Sequence, residues 1–308
     1  VGSPKKVANF VGKDVKTVKA ISTKSLDLDV VSPKVTEEDK KLGEKIFLGS
    51  EATSRLRRVH ELIKDRKSLV FTNTREASEV LSSRLRRLDY EGHGIHHSSL
   101  SKDVRLRAED EFKSGDLNAL ICTSSLELGM DIGEVEQVIQ FMSPRQVSKL
   151  VQRVGRSGHR IGEKSKGIII ASDSDDVLEA SVIARMASDG ELEDTKFQDK
   201  AYDVLAHQIV GMALDEYKVD WKTVYELVKG AYPYRNLTEE EFHKVLKYME
   251  IIRMVFTDDG IKRWKKTWNY YYEHLSTIPS IYQYRVVNNI DNSEVGVLDE
   301  EFVAEHGQ

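Results

Sequence analysis

The sequence holds a single cysteine, Cys122, among 308 residues. No internal disulfide can form, so a reducing compartment is the default. Cys122 closes the apolar run Ala119-Leu120-Ile121, which makes it a packing residue rather than a nucleophile. No apolar stretch is long enough to span a membrane, and no signal-peptide pattern is present. A membrane partner is therefore not expected, and the cytoplasm is the expected location. An excess of positive charge is lacking too: the formal net charge is -5 and the pI about 6.1. That excludes a whole-surface polycation, so any nucleic-acid contact must come from a local basic stripe. Internal repeats, low-complexity segments and metal-ligand spacings are also missing.

What is present is a soluble globular composition, 40% hydrophobic and 31% charged, with length enough for two domains or one domain and a module. After a short helix-like stretch at 5–11, residues 25–30 alternate polar and apolar as a half-exposed strand does. Apolar runs follow at 68–71, 119–122, 135–141 and 167–171, with a short extended piece at 94–97. Helical spacing over 54–65, 76–88 and 104–112 separates several of them. Continuous apolar strands between helices predict a parallel sheet covered on both faces. Ligands of such sheets bind outside the carboxyl ends of the strands. Thr72-Asn73-Thr74, His97-Ser98-Ser99 and Thr123-Ser124-Ser125 all fall at those ends.

A second region begins near residue 195. Amphipathic segments at 202–217, 221–229 and 238–249, with Asp220 and Thr238 as N-caps, precede an Asp258-Asp259-Gly260 hairpin turn. Three helices and a tight hairpin predict a winged helix. Residues 281–287 and 294–303 alternate again and predict a pair of strands opening a further module. The expected divisions are 1–194, 195–270 and 271–308.

Most of the chemistry lies between Cys122 and Arg160. The phrase Gln152-Arg153-Val154-Gly155-Arg156-Ser157-Gly158-His159-Arg160 sits one helix downstream of Gly129-Met130-Asp131. Each glycine would cost about 1 kcal/mol relative to alanine inside a helix, so the pair predicts a sharp turn or a close backbone approach. A planar, always-charged guanidinium fixed by such a turn suits the charge on a transferring phosphoryl group.

This phrase resembles motif VI of superfamily 2 helicases, and the stretch from Thr123 to Gly133 resembles their motif V. The Gly-His-Arg ending is most similar to the large helicase-related (Lhr-like) family. The resemblance spans essentially the whole chain. It implies an α/β, RecA-like parallel sheet flanked by helices, followed by a winged helix, in an ATP-dependent DNA helicase associated with repair or recombination. It makes Arg156 the arginine finger and Gln152 a sensor of the γ-phosphate or its attacking water. His159 or Arg160 would reach the nucleotide as well. Gly129 and Asp131 would face the nucleotide and its ribose. Arg153 would lie at the nucleotide or form an internal salt bridge. Thr123 and Ser124, with Ser125 beside them, would touch the tracked strand.

Thr72-Asn73-Thr74-Arg75 resembles motif IV, and His97-Ser98-Ser99 the segment after it that meets the strand's backbone. Small hydroxyls and one arginine suit sequence-independent phosphate contact, although plain loop capping explains the same residues. In the second region, Lys262, Arg263, Trp264 and Trp268 interleave cations with aromatics. That is the pattern of single-strand binders, and equally of an edge packed on a neighbouring domain.

The phosphate-binding loop is absent, since Gly12-Lys13 is followed by Asp14 and lacks the earlier glycine. No acidic pair sits on a buried strand where it could hold magnesium. ATP with Mg would then be bound mainly by a first RecA-like domain not included in this sequence, and this chain alone is not expected to hydrolyse ATP. The expected partners are that domain and single-stranded or partly duplex DNA, with RNA or a hybrid left open. A passive winged-helix binding module and a regulatory docking protein on a RecA-like fold are the alternative readings.

Overall fold

Alternate residues of a strand point to opposite faces, so a strand that is apolar throughout needs a cover on both sides. The computed structural model describes residues 2–12, 14–18, 25–127, 131–158, 164–276, 283–287 and 294–306. Its contacts divide the chain into two units, one formed by residues 20–193 and 282–308, the other by 3–19 and 194–281. The first helix, α1 (Pro4–Val11), thus groups with the second half of the chain rather than with the sheet it precedes.

The sheet unit runs β1 (Leu26–Val31), α2 (Glu37–Ile46), α3 (Ser50–Ile63), β2 (Ser68–Phe71), α4 (Arg75–Arg86), β3 (His93–His96), α5 (Lys102–Ser114), β4 (Ala119–Cys122), β5 (Gln137–Phe141), α6 (Val147–Val154), β6 (Ser165–Ile170) and α7 (Ser174–Asp189). The six strands are all parallel, in the order β1-β6-β5-β2-β4-β3. Leu69, Phe71, Leu120, Val138 and Ile169 face one side, where Phe112 of α5, Leu150 of α6 and Ile183 of α7 cover them. Val70, Ile121, Ile139 and Ile168 face the other, under Leu56 and Ile63 of α3 and Leu81 and Leu85 of α4. This is the doubly covered parallel sheet that the apolar runs predict.

Two helices of this unit bury little large apolar surface. α2 buries only Asp39, Gly43 and Ile46, and is held by a Thr36–Asp39 capping box and the Arg57–Asp39 ion pair at 2.8 Å. The guanidinium of Arg57 holds the Asp39 carboxyl down at about 2. α7 presents a narrow face of Ala180, Ile183, Ala184 and Ala187, started by an Asp173 N-cap.

The second unit contains α8 (Tyr202–Asp215), β7 (Lys218–Val219), α9 (Trp221–Lys229), α10 (Glu239–Ile251), β8 (Val255–Phe256), β9 (Ile261–Arg263) and α11 (Thr267–Glu273). Asp220 caps α9 through the Thr223 amide, and Thr238 caps α10 in a box with Glu241. Strands β8 and β9 pair antiparallel around the turn at Gly260 (φ 91°), and β7 adds to the other edge of β9. Leu205, Ile209, Val224, Phe242, Leu246, Val255 and Ile261 fill the core beneath this sheet. Three helices with a three-stranded wing make a winged helix.

Residues 283–287 and 294–299 form an antiparallel hairpin, β10 (Gln283–Val287) and β11 (Glu294–Asp299), continued by α12 (Glu300–His306). The hairpin groups with the sheet unit, where the Val297 amide donates to the Ser99 carbonyl at 2.7 Å. No helix among the described residues is long and apolar enough to cross a membrane.

Candidate nucleotide and nucleic-acid site

Strands β2, β4 and β3 are neighbours, so the segments that leave their carboxyl ends lie side by side. Asn73, Thr74 and Arg75 leave β2, His97, Ser98 and Ser99 leave β3, and Thr123 and Ser124 leave β4. All eight line one groove of about 980 Å³, closed on another side by Val295–Leu298 of the hairpin. Ser98 and Ser124 are exposed there, and Thr123 is 7% exposed.

Side-chain bonding sorts these candidates. Thr72 is fully buried; its hydroxyl donates to the Thr74 carbonyl at 3.0 Å and meets Ser78 Oγ at 2.6 Å. The expectation that Thr72 touches a strand is corrected: it braces the turn. Ser125 is corrected likewise, because its hydroxyl lies 2.8 Å from His96 Nδ1 and 3.0 Å from the His96 carbonyl. Thr74 is the N-cap of α4, accepting from the Ala77 amide. Asn73 is exposed yet tied on both amide atoms, donating to the Ser143 carbonyl and accepting from Arg153. His97 is 3% exposed; its Nε2 meets Glu79 at 2.8 Å, and its Nδ1 has no partner among the described residues.

The other candidates lie on helix α6, in the turn that follows it and in the segment before β5. Arg153 is 2% exposed and donates to Glu127 Oε1 from Nε (2.8 Å) and Nη2 (2.6 Å), and from Nη1 to Gln140 (2.7 Å) and Asn73 (3.1 Å). Its guanidinium also lies 5.3 Å from the Phe71 ring centre. Of the two roles left open for Arg153, the nucleotide contact and the internal salt bridge, these bonds are those of the salt bridge, with Glu127 as its partner. Arg156 is half-buried and donates from Nη2 to the Glu127 carbonyl at 3.0 Å, while its buried Nε has no partner among the described residues. Gln152 is exposed on α6, two residues before its end, and Asp131 is exposed and accepts from the Gly133 amide at 3.1 Å. Gly158 is left-handed (φ 67°), and a Cβ there would meet the Lys164 carbonyl at 2.8 Å, so both the turn and the close approach predicted for this glycine are present. Gly129, His159 and Arg160 lie outside the described residues.

The residues that sequence reasoning missed are the acceptors. Glu127, Gln140 and His96, all buried, and the partly exposed Glu109 organise the site through their hydrogen bonds. Gln140, fully buried on β5 beside the apolar pair Val138-Ile139, was the legible signal, since a buried amide in such a run must serve a partner.

In the winged helix, Trp264 stacks on Phe256 with centroids 3.6 Å apart and planes within 9°. One face of its ring is thereby used inside the unit. Trp268 is 55% exposed and leans on Tyr272. Arg263 is exposed beside Tyr217 at 5.5 Å, and Lys262 is half-buried on β9.

A triphosphate needs donors that the protein has not already spent. The partnerless Nε of Arg156, in the turn after α6, and the exposed amide of Gln152, on α6, meet that condition. Among the described residues no group of three His, Cys, Asp or Glu side chains gathers to hold a metal ion.

The model of the family described as "Helicase conserved C-terminal domain" matches residues 52–162. That of the family described as "Large helicase-related protein, winged helix domain" matches residues 185–308. ATP-dependent helicase Lhr-Core of Methanocaldococcus jannaschii is 37% identical over 96% of this chain and 36% of its own length. The Lhr-Core of Sulfolobus acidocaldarius is 34% identical over 94% of this chain and 34% of its own. The chain thus spans about a third of these relatives. Among solved structures, Mycobacterium smegmatis helicase Lhr bound to single-stranded DNA and AMP-PNP superposes with a TM-score of 0.77 at 28% identity, covering 100% of this chain and 41% of that one.

Proposed function

This chain belongs to the large helicase-related (Lhr) family, and from that premise we propose that it is the second motor domain, with its winged helix, of an ATP-dependent superfamily 2 DNA helicase acting in repair or recombination. A first RecA-like domain would hold most of the nucleotide and its magnesium; ATP supplies the phosphoryl group whose hydrolysis drives the cycle. Arg156 would stabilise charge on that group, and Gln152 would orient the attacking water or sense the γ-phosphate. Thr123, Ser124, Ser98 and Thr74 would hold the backbone phosphates of one strand through hydroxyls and amides, without reading sequence. The observation that carries this reading is the network that links exposed Asn73 through buried Arg153 to buried Glu127. It joins the groove to the very carbonyl on which Arg156 rests. A change at the phosphate and a change at the strand are then felt by one set of hydrogen bonds.

The experiment is turnover by the full-length protein. Arg156→Ala should lower strand-stimulated ATP hydrolysis by roughly 10³-fold or more while ATP binding changes little. Unchanged turnover would remove Arg156 from the mechanism. Thr123→Ala and Ser124→Ala should weaken strand binding and flatten its salt dependence; identical salt titrations would count against the track. The isolated chain should show no ATP hydrolysis, and hydrolysis by it would overturn the division of labour proposed here.

A further inference from the structure

Strand β3 ends in two buried histidines, and the first of them sits in a chain of polar contacts that the functions proposed above do not use. His96 is 1% exposed; its Nε2 lies 2.8 Å from Glu109 Oε1 on α5, and its Nδ1 lies 2.8 Å from Ser125 Oγ in the turn after β4. An ionised carboxylate only accepts, so Glu109 fixes the ring hydrogen on Nε2 and leaves Nδ1 as an acceptor. The Ser125 hydroxyl donates to that nitrogen or to the His96 carbonyl at 3.0 Å. Both acceptors belong to the same residue, so the hydrogen cannot leave His96 for a ligand. Burial lowers the affinity of the imidazole for a second proton, and the Glu109 bond opposes this only in part.

We propose that His96 and Glu109 are positioning residues of the strand track, holding the Thr123-Ser124-Ser125 turn so that Thr123 and Ser124 face the groove. The inference rests on the motor reading given above. His96 stands beside Cys122 in the register of β3 and β4. The turn leaves β4 at Thr123 and becomes a single 3-10 turn over Ser124–Leu126. Thr123 has no side-chain cap bond to that turn, so the tether at Ser125 is what fixes its course from the neighbouring strand. α5 braces the tether from behind.

The test measures, in the full-length protein, the concentration of a single-stranded oligonucleotide that half-saturates ATP turnover, together with kcat and KM for ATP. His96→Ala and Ser125→Ala should each raise that concentration by about three- to tenfold, the effect of one hydrogen bond. kcat at saturating strand and KM for ATP should stay within about twofold. The double variant should be no worse than the worse single, because one contact has been removed twice. His96→Asn places an amide near the position of Nδ1 and should restore most of the affinity. Glu109→Gln keeps the shape but frees the tautomer, and should shift the same concentration in the same direction as the alanine variants.

Multiplying effects in the double variant, a fall in kcat with no change in strand dependence, or wild-type behaviour of Glu109→Gln would overturn the proposal. Should His96→Ala fail to fold, the Ser125→Ala and Glu109→Gln pair decides alone. If Thr123→Ala shifts the strand dependence while these variants do not, only this inference fails. If none of them shifts it, the strand track itself is wrong.

Discussion

A guanidinium that is 2% exposed has little water to fall back on, so its N–H groups need acceptors inside the protein. Arg153 finds them on Glu127, Gln140 and Asn73, three residues from three separate segments. Removing one partner of a buried pair leaves the other charge uncompensated, which typically costs about 3–5 kcal/mol. Arg153→Ala should therefore depress the midpoint of urea unfolding strongly. Arg156→Ala, whose side chain makes one bond to a carbonyl, should move it little. Equal shifts would mean that the two arginines have been assigned the wrong way round. At this scale the sequence was informative where backbone geometry is demanding, as at Gly158, whose left-handed conformation was foreshadowed by a glycine in a helical phrase. It was silent where burial depends on a distant neighbour. Thr72 looks like a rim hydroxyl until Ser78 of α4 closes over it. Nothing near residue 153 announces that Glu127 and Gln140 will meet it.

Elements were legible in proportion to how fully their own residues pay for their burial. Apolar runs mark β2 (Leu69 to Phe71), β4 (Ala119 to Cys122), β5 (Val138 and Ile139) and β6 (Ile168 to Ile170), and Asp220 and Thr238 mark the starts of α9 and α10. α2 and α7 were not read from periodicity, because one leans on a capping box and an ion pair and the other packs through small residues. The packing of α6 on the sheet depends on a single missing side chain. A Cβ at Gly167 of β6 would lie 2.5 Å from Val154 Cγ2 and 2.8 Å from Leu28 Cδ2. Overpacking of that kind costs roughly 1–3 kcal/mol. Gly167→Val should therefore destabilise the protein and, by lifting the carboxyl end of α6, lower strand-stimulated turnover as well. Stability at the wild-type value would show that α6 shifts freely, and its placement of Arg156 would then count for little.

For the molecule as a whole, acid stability follows from a histidine the site does not use. His93 is 4% exposed, with Nε2 at 2.9 Å from Ser82 Oγ. Burial, aided by the nearby Arg86 charge, pushes its imidazole from 6.5 down to about 4. The unfolded chain takes up this proton first. Its contribution to stability is therefore intact above about 6.5 and declines as pH falls towards about 4, by roughly 3 kcal/mol. His93→Gln should flatten the unfolding free energy between those limits. An unaltered slope would assign the acid sensitivity elsewhere.

The sequence changes periodicity near residue 195, and the two units change over between residues 193 and 194, with residues 282–308 returning to the sheet unit. The grouping of α1 with the winged-helix unit was not readable, since contacts between distant segments leave no local pattern. The central claim, that Arg156 completes a nucleotide site across a domain cleft, is tested most directly by a structure of the full-length protein with a non-hydrolysable ATP analogue and a single strand. The account predicts the Arg156 guanidinium within about 3 Å of a γ-phosphate oxygen and the strand's phosphates in the groove at Thr123 and Ser124. A guanidinium still resting on the Glu127 carbonyl, with the phosphate met only by other residues, would contradict it.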